Sequence, residues 1–155
     1  MGWERTWQGQ EAQSGLGLAA SSRIPVASVG QIDAGYCLRF LRLIRDCSFA
    51  TVDAKGLPAV RVIDVMHVKD GRLYFLAPRG KEFYREILGN PVVAIVGQTT
   101  DFRMCRLRGR AVRAADGEQK ALVDRMFELN PSMDQLYPAE SRYACEVFYI
   151  EDGSG

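Results

Sequence analysis

Arg79 and Lys81 bracket Gly80 directly ahead of a helix-period stretch, Phe83, Tyr84, Ile87 and Leu88, which Gly89-Asn90-Pro91 brings to a stop. Cations are disfavoured where a helix begins, because the macrodipole is already positive there. Free backbone N–H groups at the same end suit a phosphate or another anion, and Glu82 offsets part of the charge. A bound anion is the economical reading. Arg61 makes a similar demand. Along Val60-Arg61-Val62-Ile63-Asp64-Val65-Met66 the side chains alternate between faces, which puts Arg61 beside Ile63, Val65 and His67. A guanidinium among β-branched apolar neighbours needs an anion, either a nearby carboxylate or a ligand phosphate. Further on, Arg106, Arg108 and Arg110 share one strand face at spacings of about 7 Å, while Arg103 points the other way. Arg106 is nearest the preceding turn and is the better candidate to reach a ligand. Arg108 and Arg110 read as a solvated face.

Other chemistries lack their residues. His67 is the single histidine, in mid-strand, where a structural role is the plainer reading. No H-E-x-x-H, G-x-S-x-G or carboxylate dyad is visible, and neither are the glycine-rich loops of dinucleotide folds and P-loops. An enzyme built on this sequence therefore needs a cofactor to supply reactivity. Cys37, Cys47, Cys105 and Cys145 stand far apart with no C-x-x-C pair, which argues against a metal site and a disulfide scaffold. They read as reduced thiols, mostly buried, in a cytoplasmic protein.

The elements that must carry these residues follow from periodicity. Residues 1–30 are rich in Gly, Gln, Ser and Ala and read as a flexible arm, which Trp3 and Trp7 could anchor. Met1-Gly2-Trp3-Glu4-Arg5-Thr6 matches the loose myristoylation pattern, which recurs by chance. Residues 31–155 form one domain. Asp33 caps a helix with apolar residues at Ile32, Tyr36, Phe40, Leu43 and Ile44. Strands are expected over 47–52, 59–68, 73–76, 92–98, 102–114 and 143–150, with turns at Asp53-Ala54-Lys55-Gly56 and Lys69-Asp70-Gly71. A third helix starts at Asp116 and ends at Asn130-Pro131. Hairpins dominate, so the expected architecture is a six-stranded antiparallel barrel with flanking helices, an α+β fold. A chain of 155 residues, 47% hydrophobic and 25% charged, is ordinary for one globular domain. A net charge of +1 gives no global attraction to nucleic acid or membrane. No apolar run approaches the roughly 20 residues that span a bilayer.

The ordered set A-T-V-D-A-K-G-L-P-A-V-R-V-I, D-G-R-L-Y-F-L-A-P-R-G-K-E-F-Y-R-E-I-L-G-N-P-V-V-A-I-V and R-L-R-G-R-A-V resembles the pyridoxamine 5′-phosphate oxidase-like split-barrel flavoproteins over about residues 32–151. The resemblance implies a homodimer with FMN in a groove between subunits, acting as a small oxidoreductase that moves a hydride or electrons to an unidentified substrate. It further implies that Arg61, Arg79 and Lys81 hold the phosphate, with Gly80 in the same turn. Val62 and Ile63 would line the isoalloxazine ring, Leu76 and Ala77 would flank the ribityl chain or ring edge, and Arg106 would face the flavin. Ala77 and Gly80 replace hydroxyl residues common in relatives, and the substrate-binding tail of the true oxidase has no counterpart here. The same fold also accommodates deazaflavin F420 or haem, a non-catalytic flavin-sensing module, or a barrel whose groove is empty.

Overall fold

The computed structural model describes residues 24–155, and the leader containing Trp3, Trp7 and the Met1–Thr6 pattern lies outside them. Six strands close into an antiparallel barrel in the order β1-β2-β3-β6-β5-β4. They are β1 (Asp46–Val52), β2 (Pro58–Lys69), β3 (Arg72–Pro78), β4 (Val92–Gln98), β5 (Met104–Arg113) and β6 (Cys145–Ser154). Alternation sends one set of side chains inward. Phe49, Phe75 and Phe148 are all buried there, with Phe49–Phe75 and Phe75–Phe148 ring centroids 5.2 and 5.8 Å apart.

Helix α1 (Ala34–Ile44) packs Leu38, Leu41 and Ile44 into the same core. Asp33 caps it by accepting a 2.7 Å hydrogen bond from the Tyr36 amide. Helix α2 (Glu82–Gly89) inserts Phe83 and Ile87 from the β3–β4 connection, with Phe83 6.2 Å from Phe49. The third cover lies outside the barrel. Met66, Tyr74, Leu76 and Val147 point away from the interior and form a second core with Val123, Met126 and Phe127 of α3 (Asp116–Leu129). A short α4 (Met133–Leu136) and a 3₁₀ segment, Ala139–Ala144, lead into β6. The outer face of β1, β4, β5 and the first half of β2 has no such cover among the described residues. Val60 and Val62 are 68% and 63% exposed there.

Some boundaries differ from the periodicity, for physical reasons. Ile24 is buried in the barrel core, and Pro25 accepts a 2.6 Å hydrogen bond from the Tyr36 hydroxyl, so the fold begins inside the segment read as an arm. Tyr143 falls in the 3₁₀ segment, and β6 starts at Cys145. The largest correction concerns His67. A bulge separates the pairs Val65–Phe75 and His67–Tyr74, which rotates His67 off the face of Arg61, Ile63 and Val65. Its ring lies 6.0 Å from Tyr74. Burial first, then the positive Arg42, lowers its pKa to about 4, so it is neutral at neutral pH.

One polar hub ties the barrel's seam together. Glu146 on β6 is buried and accepts hydrogen bonds from Arg113 of β5 (3.0 Å), Arg79 after β3 (3.2 Å) and the Tyr84 hydroxyl of α2 (2.7 Å). Arg113 foremost, then Tyr84 and Arg79, hold its carboxyl down at about 2 against an ordinary value of 4.5. The carboxylate's contribution is therefore complete above pH 4.5 and is lost as pH falls toward 2. Glu146→Gln is expected to cost about 3 kcal/mol at neutral pH in urea unfolding. Its deficit against the native chain should shrink through that acid window. Gly109 provides a second check. A Cβ there would stand 2.5 Å from Ile150 Cγ2 and 2.7 Å from the Glu151 carbonyl oxygen, and the latter is backbone that cannot swing aside. Gly109→Ala should destabilise by about 1–3 kcal/mol, read as a lowered thermal midpoint.

Candidate functional site

The uncovered face is organised by strand register. Val62, Ser48, Val96 and Arg106 lie in one row across β2, β1, β4 and β5. Val60, Ala50, Ala94 and Arg108 form the next. Ser48, Val96, Ala50 and Ala94 occupy the middle of the two rows, with Val62 and Val60 at one end and arginines at the other. The result is a groove of about 810 Å³ that Ser48, Ala50, Val60, Ala94, Val96, Arg106 and Arg108 help to line. Its banks are three strand spacings apart, roughly 14 Å. An apolar floor with few polar groups at the rim is the usual make-up of a small-molecule site. Neither Arg106 nor Arg108 has a carboxylate partner among the described residues.

Arg61 is elsewhere. It projects from the opposite face of β2, opposite Phe49, with its guanidinium 5.1 Å from the centre of the Phe83 ring. Nη1 lies 2.8 Å from Glu86 Oε2 and donates to Thr51 Oγ1 at 2.6 Å, while Nη2 donates to Glu86 Oε1 at 3.1 Å. The Thr51 hydroxyl in turn donates to Glu86. Of the two anions the alternation allowed, a carboxylate is the one found. The Glu86 side chain is 8% exposed, so this pair pins α2 to β1 and β2 from within.

The other expected phosphate ligands do not converge on Arg61. Arg79 turns to Glu146 and donates to the Tyr143 carbonyl at 2.8 Å, beside a separate cavity near Lys120 and Asp116. Lys81 is the N-cap residue of α2 and makes no side-chain cap bond, with Glu82 in the first turn. Gly80 has φ +86°, which explains the glycine, but a Cβ there would meet nothing within 4 Å. Leu76 and Ala77 are buried, Leu76 in the outer core under α3 and Ala77 in the barrel. Ile63 is half-buried against the barrel core, while Val62 is exposed at the end of the row of Ser48, Val96 and Arg106, outside the residues that line the cavity. Of the nine residues expected around a flavin, Val62 and Arg106 therefore stand in the rows of this groove.

Register also creates what composition did not reveal. Asp46 and Asp64 face each other across β1 and β2, two positions beyond the Ser48–Val62 pair. Arg45 Nε lies 3.1 Å from Asp46 and 3.7 Å from Asp64. Burial, followed by the hydrogen bond with Asp46, raises the Asp64 pKa to about 6. Counting back from the Asp53–Gly56 turn would have found this carboxylate pair. Glu86, the partner of Arg61, lay in a helix pattern with no sign of its contact. The cysteines match expectation: Cys47, Cys105 and Cys145 are buried, and all four are free. Burial pushes the Cys105 and Cys145 thiols up to about 12 and about 11.

For a flavin, this geometry fits in one part and not in another. The small-residue floor between valine and arginine banks suits a flat ring with an anionic tail. The Arg61 end does not suit a phosphate, because Glu86 already neutralises that guanidinium.

Comparison with known proteins agrees with this architecture. The family model described as "Pyridoxamine 5'-phosphate oxidase" matches residues 37–143. A curated pyridoxine/pyridoxamine 5′-phosphate oxidase from Bradyrhizobium is 30% identical over 108 residues, 64% of this chain. The match spans about half of that relative, 48%. A NimC/NimA family protein from Clostridium acetobutylicum has TM-score 0.66 at 21% identity, over 77% of this chain and 80% of its own. A haem-binding protein from Mycobacterium smegmatis has TM-score 0.58 at 14% identity, over 77% and 51%. A structure named F420 reductase has TM-score 0.51 at 20% identity, over 70% and 88%. At such identities the solved structures share the fold alone. With the family match extending from α1 to the approach of β6, the chain belongs to the pyridoxamine 5′-phosphate oxidase family.

Proposed function

We propose that this protein is a dimeric split-barrel flavoprotein that binds FMN and acts as a small oxidoreductase. The observation that carries this reading is the groove on the bare barrel face. Its floor is Ser48, Ala50, Ala94 and Val96, with Val60 on one side and Arg106 and Arg108 on the other, and Val62 stands exposed in the row beside Val60. Small side chains let a planar ring lie against the sheet, and the arginines favour the anionic end of the same molecule. Bound FMN would supply the hydride and electron transfer that no side chain here provides. The protein's own part is to hold the ring, exclude water and balance its charge.

Dimerisation has its own support. Val60, Val62, Val92 and Met104 are each more than half exposed on this face, more apolar surface than a monomer usefully presents. A second copy over this face would bury them and turn an open groove into a closed site. Four free cysteines favour a reducing cytoplasm. F420 and haem are also flat rings with anionic tails, so the groove's chemistry admits them too. His67 packs near Tyr74 away from the groove and is poorly placed to act as a haem axial ligand there.

Absorption spectra of the purified chain mixed with FMN, F420 or haem test the reading. A flavin spectrum retained through gel filtration is the expected result, and failure to retain any of the three would end it. Val62→Asp should place charges in the apolar bank, shift light-scattering mass from dimer to monomer, and weaken FMN retention at least tenfold.

A further inference from the structure

We infer that Cys37 and Cys105 form an oxidation site, at which hydroperoxides convert the two thiols into a disulfide that ties α1 to β5. The two residues are 68 positions apart and meet only through the fold. Cys37 is the fourth residue of α1, and Cys105 sits on β5 opposite Gly97 of β4. Gly97 sets the approach of the helix. A Cβ there would stand 3.0 Å from Leu41 Cδ2 and 3.1 Å from Cys47 Sγ, so the bare backbone lets α1 rest close to the sheet. At that spacing the Cys105 thiol donates to the Cys37 carbonyl at 3.7 Å, and the two thiols are within hydrogen-bonding reach of each other. Access then separates this pair from the other cysteines. Cys37 is half-buried and lines a cavity of about 610 Å³ bounded by α1, the β2–β3 turn and the end of β6. Cys105 lies behind it, 9% exposed. Cys47 and Cys145 are buried, and neither lines this cavity.

Exposure assigns the roles. Cys37 meets the oxidant from the cavity, and as thiolate it attacks one peroxide oxygen. An S–O bond forms as the O–O bond breaks, which leaves a sulfenic acid on Cys37 and releases water or an alcohol. Burial first, then the neighbouring Cys37, pushes the Cys105 thiol up to about 12, so Cys105 is a poor attacker of a free oxidant. It needs only to meet a sulfenic acid already beside it. Its sulfur displaces the hydroxyl from Cys37, the S–S bond forms as the S–O bond breaks, and the thiol proton leaves with the hydroxyl as water. In sum, two thiols lose two electrons to one hydroperoxide. Packing alone accounts for an enclosed thiol such as Cys47, whose Sγ rests 3.6 Å from the Leu41 carbonyl oxygen. A half-exposed thiol backed by a second one is the arrangement that oxidation to a disulfide requires. The site is separate from the groove floor and holds whatever occupies that groove.

Treating the folded, full-length protein with hydrogen peroxide and mapping its tryptic peptides without reductant tests the inference. Each cysteine falls in a separate tryptic peptide, Cys37 in residues 24–39 and Cys105 in residues 104–106. These two peptides should be recovered joined, and dithiothreitol should release them. Free thiols counted in denaturant should fall from four to two over the same treatment. With Cys105→Ser, Cys37 should stop at the sulfenic acid, which dimedone traps, and no internal disulfide should form. Cys37→Ser should slow thiol loss at least tenfold, whereas Cys47→Ser should leave the yield of the cross-link within twofold of native. The inference is overturned if the native chain keeps all four thiols, or if Cys37 is oxidised without joining Cys105. A bridge from Cys37 to Cys47 or to a second copy of the chain overturns it as well, and so does a cross-link that forms only in urea. The native chain alone decides these outcomes, so a variant that fails to fold leaves the test intact.

Discussion

A six-stranded sheet that closes on itself must fill its interior with every second side chain, and this requirement shapes the rest of the molecule. Phe49, Phe75 and Phe148, with the aliphatic residues around them, fill that volume. Their neighbours in sequence are thereby forced outward, where they must be covered or left in water. Helix α3 covers the outer residues of β2, β3 and β6, while α1 and α2 add their apolar faces to the interior core. Three helices cannot cover the whole outer surface, and the remainder on β1, β4, β5 and early β2 is the groove. The candidate site is thus the part of the barrel's outer face that the described residues leave unsealed.

The distribution of charge follows the same division. Arginines near the interior, Arg61 and Arg113, are matched by buried carboxylates, Glu86 and Glu146. An unpaired charge at those depths would be expensive. On the bare face the cost is smaller, because water solvates an exposed guanidinium. Arg106 and Arg108 can therefore remain without a carboxylate partner among the described residues. A cation's availability to a ligand is decided by whether the fold has already used it.

Periodicity was a good guide to the elements and a poorer one to contacts between them. Alternation in β1 and β2, the Asp-Gly turn at residues 70–71 and the Asn-Pro stop at 90–91 placed the strands within a few residues. The ordered set of hairpins pointed to the family. His67 was misplaced because one bulge residue reverses the face of everything beyond it, and a bulge leaves no mark in a run such as Val65-Met66-His67-Val68. The Asp46–Asp64 pair was missed because its members are eighteen positions apart and meet only through register.

The arginine cluster near α2 illustrates the same limit more sharply. Local sequence correctly indicated that Arg61 needs an anion, since burial beside apolar residues is fixed by alternation. It could not indicate which anion, because Glu86 reaches Arg61 only after α2 folds back onto β1 and β2. What the residues determined by themselves were the strands, the helices, their caps and the inward-facing set, all consequences of local geometry and hydrophobic period. Tertiary structure alone decided which charges cancel, which carboxylates share a neighbourhood and which face stays open, because those depend on distances between segments that the chain's order does not encode.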